Sequence, residues 1–196
     1  MARRMLPVAH RIKTGVDAMN ALFPRRRDRG FTLVELMVVV AIVSILLMIA
    51  IPQFGEIIRQ NRVATLSNQL LGTVYVVRSE AIKRGHRVTA CVSADRATCT
   101  PGGAWHAGWI VFADRNGNAV REGGETLIAV YPPVDGATTI TGNLPVSTYI
   151  SYNAAGRSTL VSGALQMGTV TLCDGAIGNQ LVISASGRPR LVSSVC

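Results

Sequence analysis

From Phe31 to Ile51 the chain is apolar except at three clearly polar positions, Thr32, Glu35 and Ser44. A helix of these 21 residues extends about 31 Å, the thickness of the hydrocarbon core of a bilayer. The run exceeds the roughly 7–15 apolar residues of a secretory signal, and no small-x-small cleavage site follows it, so it reads as a retained span. Beyond Pro52 the pattern stays helical. Val63, Leu66, Leu70, Val74, Val77 and Ala81 recur at intervals of three and four, an apolar stripe that needs a cover. Arg59, Arg62, Asn68 and Arg78 fall on wetter faces. A proline inside a helix removes one hydrogen bond and bends the axis, so the pattern predicts one long, bent helix. It should end near Gly85, where Lys83 and Arg84 suit the negative end of the dipole and glycine permits a left-handed cap.

After Gly85 the period shortens to alternating or β-rich runs broken by Gly, Pro, Asn and Asp. Strands are predicted at Arg87–Val92, Gly108–Ala113, Thr126–Tyr131, Ala137–Thr141, Thr148–Tyr152, Gly168–Cys173, Gln180–Ser184 and Leu191–Val195. Many short strands in succession favour antiparallel sheets, and the helix stripe is the surface they would pack on. The expected class is α+β, a long bent N-terminal helix packed on an antiparallel β-rich domain. The layout is a basic leader over 1–30, a membrane-spanning half-helix over 31–51, an amphipathic half-helix over 52–85 and a β-rich domain over 86–196.

Charge changes the picture only once it is divided. The net charge of +9 invites a nucleic-acid reading, yet residues 1–30 carry eight Lys/Arg against two Asp/Glu (+6), and the remainder twelve against nine (+3). Most of the basic excess therefore orients the span, placing its N-terminal side in the cytoplasm and the bulk of the chain across the membrane. Only a local cluster of arginines can carry a DNA argument. Cys91, Cys99, Cys173 and Cys196 all follow the span, in a compartment that permits disulfides. Of three possible pairings, Cys91 with Cys99 and Cys173 with Cys196 are favoured, closing loops worth roughly 2.5 and 3.5 kcal/mol by chain entropy. Zinc is disfavoured because no C-x-x-C pair is present.

Gly30-Phe31-Thr32-Leu33-Val34-Glu35, followed by the apolar run, resembles the processing site of type IV prepilins and type II secretion pseudopilins. On physics alone, Glu35 either snorkels to the headgroups or meets a partner, since a charge deep in a membrane helix costs about 2.5–3.5 kcal/mol on insertion scales. The resemblance implies the partner: cleavage after Gly30 by a prepilin peptidase, N-methylation of the new terminus Phe31, and pairing of Glu35 with the terminal amine of a neighbouring subunit. A start at Met19 would make a 12-residue leader of ordinary length, which sets residues 1–18 aside as a start-site artefact.

Further motifs narrow the resemblance. Arg78-Ser79-Glu80-Ala81-Ile82-Lys83-Arg84-Gly85, then Val88–Cys91, Trp105, Gly108–Asp114 and Ser186-Gly187-Arg188-Pro189-Arg190 together resemble the GspH/FimT group of minor pilins and pseudopilins. That resemblance implies a structural role in a pilus, with other minor and major pilins and the inner-membrane assembly platform as partners. It implies a single-pass inner-membrane protein with a periplasmic domain that then moves into the pilus. The alternative is a minor pseudopilin of a type II secretion system.

Candidate chemistry is sparse. Asp114-x-Asn116-x-Asn118 with Glu125 superficially fits a calcium loop, but the sixth position, where glycine is required, is Ala119, and the flanks read as strands. A turn rich in Asn and Gly is the better account. No phosphate-binding glycine loop, acid/base pair, nucleophile or cofactor motif stands out; no cofactor and no metal are expected, and no enzyme activity. The sharpest candidate is Gly187-Arg188-Pro189-Arg190, in which glycine allows a tight turn, proline keeps its neighbours extended and two arginines can face phosphates. In FimT-like pilins a loop of this type is associated with DNA binding in natural transformation. Arg157, Lys83, Arg84 and Arg87 would extend the patch if folding brought them close, while Glu80 offers Lys83 or Arg84 an ion pair within the helix.

Overall fold

A computed structural model describes residues 30–196; the leader, including the basic cluster and the proposed start at Met19, lies outside the described residues. One helix, α1 (Leu33–Arg84), runs for 52 residues and continues through Pro52 without interruption. Its start follows from Thr32, whose hydroxyl accepts the N–H of Glu35 at 3.2 Å, a side-chain cap directly ahead of an acidic first turn. Its end follows from Gly85, at φ +69°, whose N–H donates to the carbonyl of Ala81 at 3.0 Å.

The chain divides into two compact units, the first ending at Met48 and the second spanning Ile49–Cys196. In the first, every described large apolar side chain is exposed. Ser44 satisfies its hydroxyl within the helix by donating to the carbonyl of Val40 at 2.7 Å. The segment is long and apolar enough to cross a membrane.

The second unit contains two four-stranded antiparallel sheets. The first is ordered β3-β2-β1-β5 and is built from β1 (Val88–Val92), β2 (Trp109–Ala113), β3 (Leu127–Tyr131) and β5 (Tyr149–Tyr152). The second is ordered β4-β6-β7-β8, from β4 (Thr139–Gly142), β6 (Gly168–Asp174), β7 (Ile177–Ile183) and β8 (Pro189–Val195). All eight predicted strands are present, and this is one long helix packed on an antiparallel β-rich domain. The boundaries move most at β7 and β8. β7 starts three residues before the predicted Gln180 because Gly178 and Asn179 pair with β6 and β8 despite their low strand propensity. β8 starts at Pro189, a first strand position where the missing N–H is tolerated.

The helix stripe is the core's centre. Val63, Leu70, Val74, Val77 and Ala81 are buried, with Leu66 partly so. Two hydroxyls of the helix reach one sheet each, and Arg62 adds an ion pair to Asp174 of β6 at 3.5 Å. Thr73 Oγ1 accepts the indole N–H of Trp109 in β2 at 3.1 Å, and Ser67 Oγ accepts the amide of Asn179 in β7 at 3.0 Å. Both hydroxyls donate back to the helix, to Gln69 and Val63 carbonyls, so neither is left without an acceptor. Trp105 and Trp109 are fully buried, edge to face at 6.3 Å, and Trp109 stacks on Tyr131 at 5.1 Å.

Cys91 is bonded to Cys99 and Cys173 to Cys196. The second bond crosses β7. Cys173 is level with Gly178 and Gly178 with Ser194 in the ladder, and a Cβ at Gly178 would collide with Cys196 Sγ. Glycine there leaves room for the bridge.

In the acidic Asn/Gly turn after β2, carboxylates accept hydrogen bonds from the turn's backbone and from β1. Asp114 accepts the Thr89 hydroxyl at 2.8 Å and the N–H of Ala119 at 3.1 Å, while Glu125 accepts the N–H groups of Arg115 and Glu122. These bonds form the turn that the Asn and Gly residues predict.

Candidate functional site

Two features concentrate functional groups. The first is the N-terminal edge of α1. Gly30 and Phe31 precede the helix, Phe31 is 82% exposed, and the exposed Glu35 sits in the first turn. The Thr32 cap fixes this turn independently of anything before Phe31, because the hydroxyl and the N–H it accepts both lie after Gly30. Glu35 thus lies four residues from Phe31, at the positive end of the helix dipole, with no ion pair among the described residues.

The second feature is the turn joining β7 to β8. The N–H of Gly187 donates to the carbonyl of Ser184 at 2.8 Å, and Ser184 exchanges further bonds with Arg188. Gly187 has φ +74°, and a Cβ there would lie 2.9 Å from the backbone nitrogen of Ser158, so both its conformation and the closeness of Ser158 call for glycine. Gly187 and Pro189 are buried while Arg188 and Arg190 are exposed. The alternation follows from the period of two along the entering strand, and it turns both arginines outward. Neither guanidinium has a hydrogen bond or ion pair among the described residues.

Beneath the turn lies Tyr152, the last residue of β5, fully buried. Its hydroxyl donates to the carbonyl of Gly187 at 2.7 Å. Burial pushes its phenol up to about 12, with the positive charge of Arg78 opposing the shift and Tyr75 adding to it. A raised pKa means the fold favours the neutral phenol. Stability from this group is therefore complete below pH 10, the value of an exposed tyrosine, and is lost as pH rises toward 12. A shift of this size corresponds to about 3 kcal/mol. Urea midpoints at pH 8, 10, 11 and 12 are expected to fall more steeply for wild type than for Tyr152→Phe; parallel decline would refute this role.

The neighbouring loop carries Arg157. Asn153 Oδ1 accepts the N–H groups of Ala155 and Arg157, closing a turn that leads to Ser158 beside Gly187. Arg157 is exposed with its guanidinium unengaged among the described residues. The other cations grouped with this patch from sequence have other engagements. Lys83 and Arg84 both pair with Glu80, at 3.5 and 2.6 Å, and these bonds hold the Glu80 carboxyl below its ordinary pKa, the hydrogen bond from Arg84 contributing most. The guanidinium of Arg87 donates to the carbonyls of Gly117 and Leu160, fastening two loops together. Sequence reasoning left out Arg78, whose place beside this loop depends on how residues 153–157 lie against α1.

Comparison with known proteins agrees with this architecture. The family described as "Type II transport protein GspH" matches residues 66–187, more than half of the chain, and the prokaryotic N-terminal methylation motif matches residues 25–51. Among solved structures, the type IV minor pilin FimU of Pseudomonas aeruginosa (strain PAO1) is similar, at 20% identity and a TM-score of 0.50, covering 67% of this chain and 89% of that one. The minor pseudopilin EpsH from the type 2 secretion system of Vibrio cholerae matches at 9% identity and a TM-score of 0.46, covering 67% and 97%. With a methylation motif at the head of α1 and the family match running from the helix stripe to the Gly187 turn, the chain belongs to the GspH family of minor pilins and pseudopilins.

Proposed function

We propose that this protein is a minor type IV pilin: cleaved after Gly30, methylated at Phe31, anchored in the inner membrane by α1 with its β-rich domain in the periplasm, and then inserted into the pilus. The observation that carries the assembly reading is the apolar half of α1, uncovered along its length and carrying one exposed carboxylate, Glu35, near its start. Such a surface calls for an apolar surrounding, and in sequence the membrane and the packed helices of a filament supply it. The amine created at Phe31 lies on a neighbouring subunit and neutralises Glu35 there. Prepilin peptidase, the assembly platform and other pilins are the partners in these steps.

A second layer is DNA capture. Arg188 and Arg190, outward-facing and unengaged among the described residues, contact backbone phosphates without reading bases. Arg157 lies on the adjoining loop and supports the same surface.

The type II secretion reading predicts a different loss. A strain lacking this protein is expected to lose surface pili and DNA uptake while secreting its exoproteins normally, measured by pilus shearing, transformation and culture-supernatant activity. Retained pili with blocked secretion would make it a pseudopilin instead.

A further inference from the structure

We propose that Arg78 of α1 is a further phosphate contact, joining Arg157 and the Gly187 turn in one anion-binding track that crosses from the β7–β8 hairpin onto the helix. The inference rests on the DNA-capture reading and extends it to a residue on a different element.

Three observations carry it. Arg78 is half-buried, yet among the described residues its guanidinium has neither a hydrogen-bond acceptor nor a carboxylate. Its neighbours in the helix do otherwise: Lys83 and Arg84 share Glu80, one turn further on. A cation partly withdrawn from water without a counter-charge costs free energy, which an incoming anion recovers.

The second observation is placement. Arg78 Nε lies 3.4 Å from the position a Cβ would take on Gly156, and Gly156 adopts φ +70°. A side chain at Gly156 would also meet Ile82 Cδ1 at 2.8 Å, so glycine lets the loop lie against the helix beside Arg78. The next residue is the exposed Arg157.

Third, the same loop continues into the hairpin. Ser158, following Arg157, abuts Gly187, and Arg188 comes next. Tyr152 underlies the junction, bonded to Gly187 and within the field of Arg78. Helix, loop and turn therefore place unengaged guanidinium groups in succession, and DNA presents phosphates in succession.

The test uses the full chain in detergent micelles and a fluorescein-labelled duplex titrated at several salt concentrations. Arg78→Gln is expected to weaken binding about tenfold and to lower the slope of log K against log salt by about 0.9, equally on duplexes of unrelated sequence, with Arg78→Lys restoring much of the slope. Arg59→Gln is the charge-matched control, because Arg59 lies beside the Gly175 turn at the opposite end of β7; it should bind as wild type does. If Arg78→Gln binds like wild type while Arg188→Gln/Arg190→Gln loses affinity, the inference fails and the DNA reading survives. Weaker binding with an unchanged salt slope also overturns it, since Arg78 would then be shaping the loop. If wild type does not bind, or the double variant binds equally well, both fail.

Discussion

Glu35→Gln protein is expected to reach the membrane, fold its β-rich domain and yet be nearly absent from sheared filaments. The carboxylate lies in the first turn of α1, where the large apolar side chains are exposed among the described residues. Once that surface is packed, an unpaired charge is expensive, and removing one member of a buried pair costs about 3–5 kcal/mol. Glutamine removes the counter-charge and leaves the amine of Phe31 on the neighbouring subunit unpaired. Incorporation should fall by roughly two to four orders of magnitude, read as the ratio of filament to membrane signal on an immunoblot. The Thr32 cap uses a backbone N–H at position 35, so the helix start survives the substitution. Wild-type incorporation would sink the assembly role of Glu35.

The second large effect is at the other end of the chain. Exchanging Arg188 and Arg190 for glutamine removes two exposed charges from a turn whose shape depends on Gly187 and the Tyr152 hydroxyl. The fold should be untouched, because neither guanidinium makes a hydrogen bond or ion pair among the described residues. Affinity for duplex DNA is expected to fall about a hundredfold or more at low salt, with the salt slope reduced by about 1.8 and no change in base preference. Titration by fluorescence anisotropy at several salt concentrations reads both quantities. Equal slopes for wild type and variant would show that these arginines do not meet phosphates.

Local patterns carried much of this architecture, for reasons that also explain where they stopped. The stripe from Val63 to Ala81 and the glycine at position 85 specify a helix and its end, because packing and capping are set by near neighbours in sequence. The strands were legible from their punctuation. Their order was not: β1 pairs with β2 and also with β5, nearly sixty residues away, and nothing local to Val88–Val92 names that second partner. The candidate site divides in the same way. Gly187 to Arg190 is a contiguous motif with its turn chemistry written into it. The role of Arg87 in fastening two loops was not legible because its acceptors, Gly117 and Leu160, come from distant parts of the chain. Arg78 was left out because Gly156 brings the loop beside it only after folding.

The Cys173–Cys196 bond gives the domain a mechanical asymmetry. Tension applied to a filament subunit enters along α1, whereas the arginine turn lies inside a covalently closed loop at the far end of the chain. With a sequence separation of 23 residues, that loop withholds about 80 Å of extensible chain. A subunit pulled until its sheets unravel would therefore still hold Arg188 and Arg190 in one ring. The extension of that end of the chain is then limited by the covalent ring and not by the sheets.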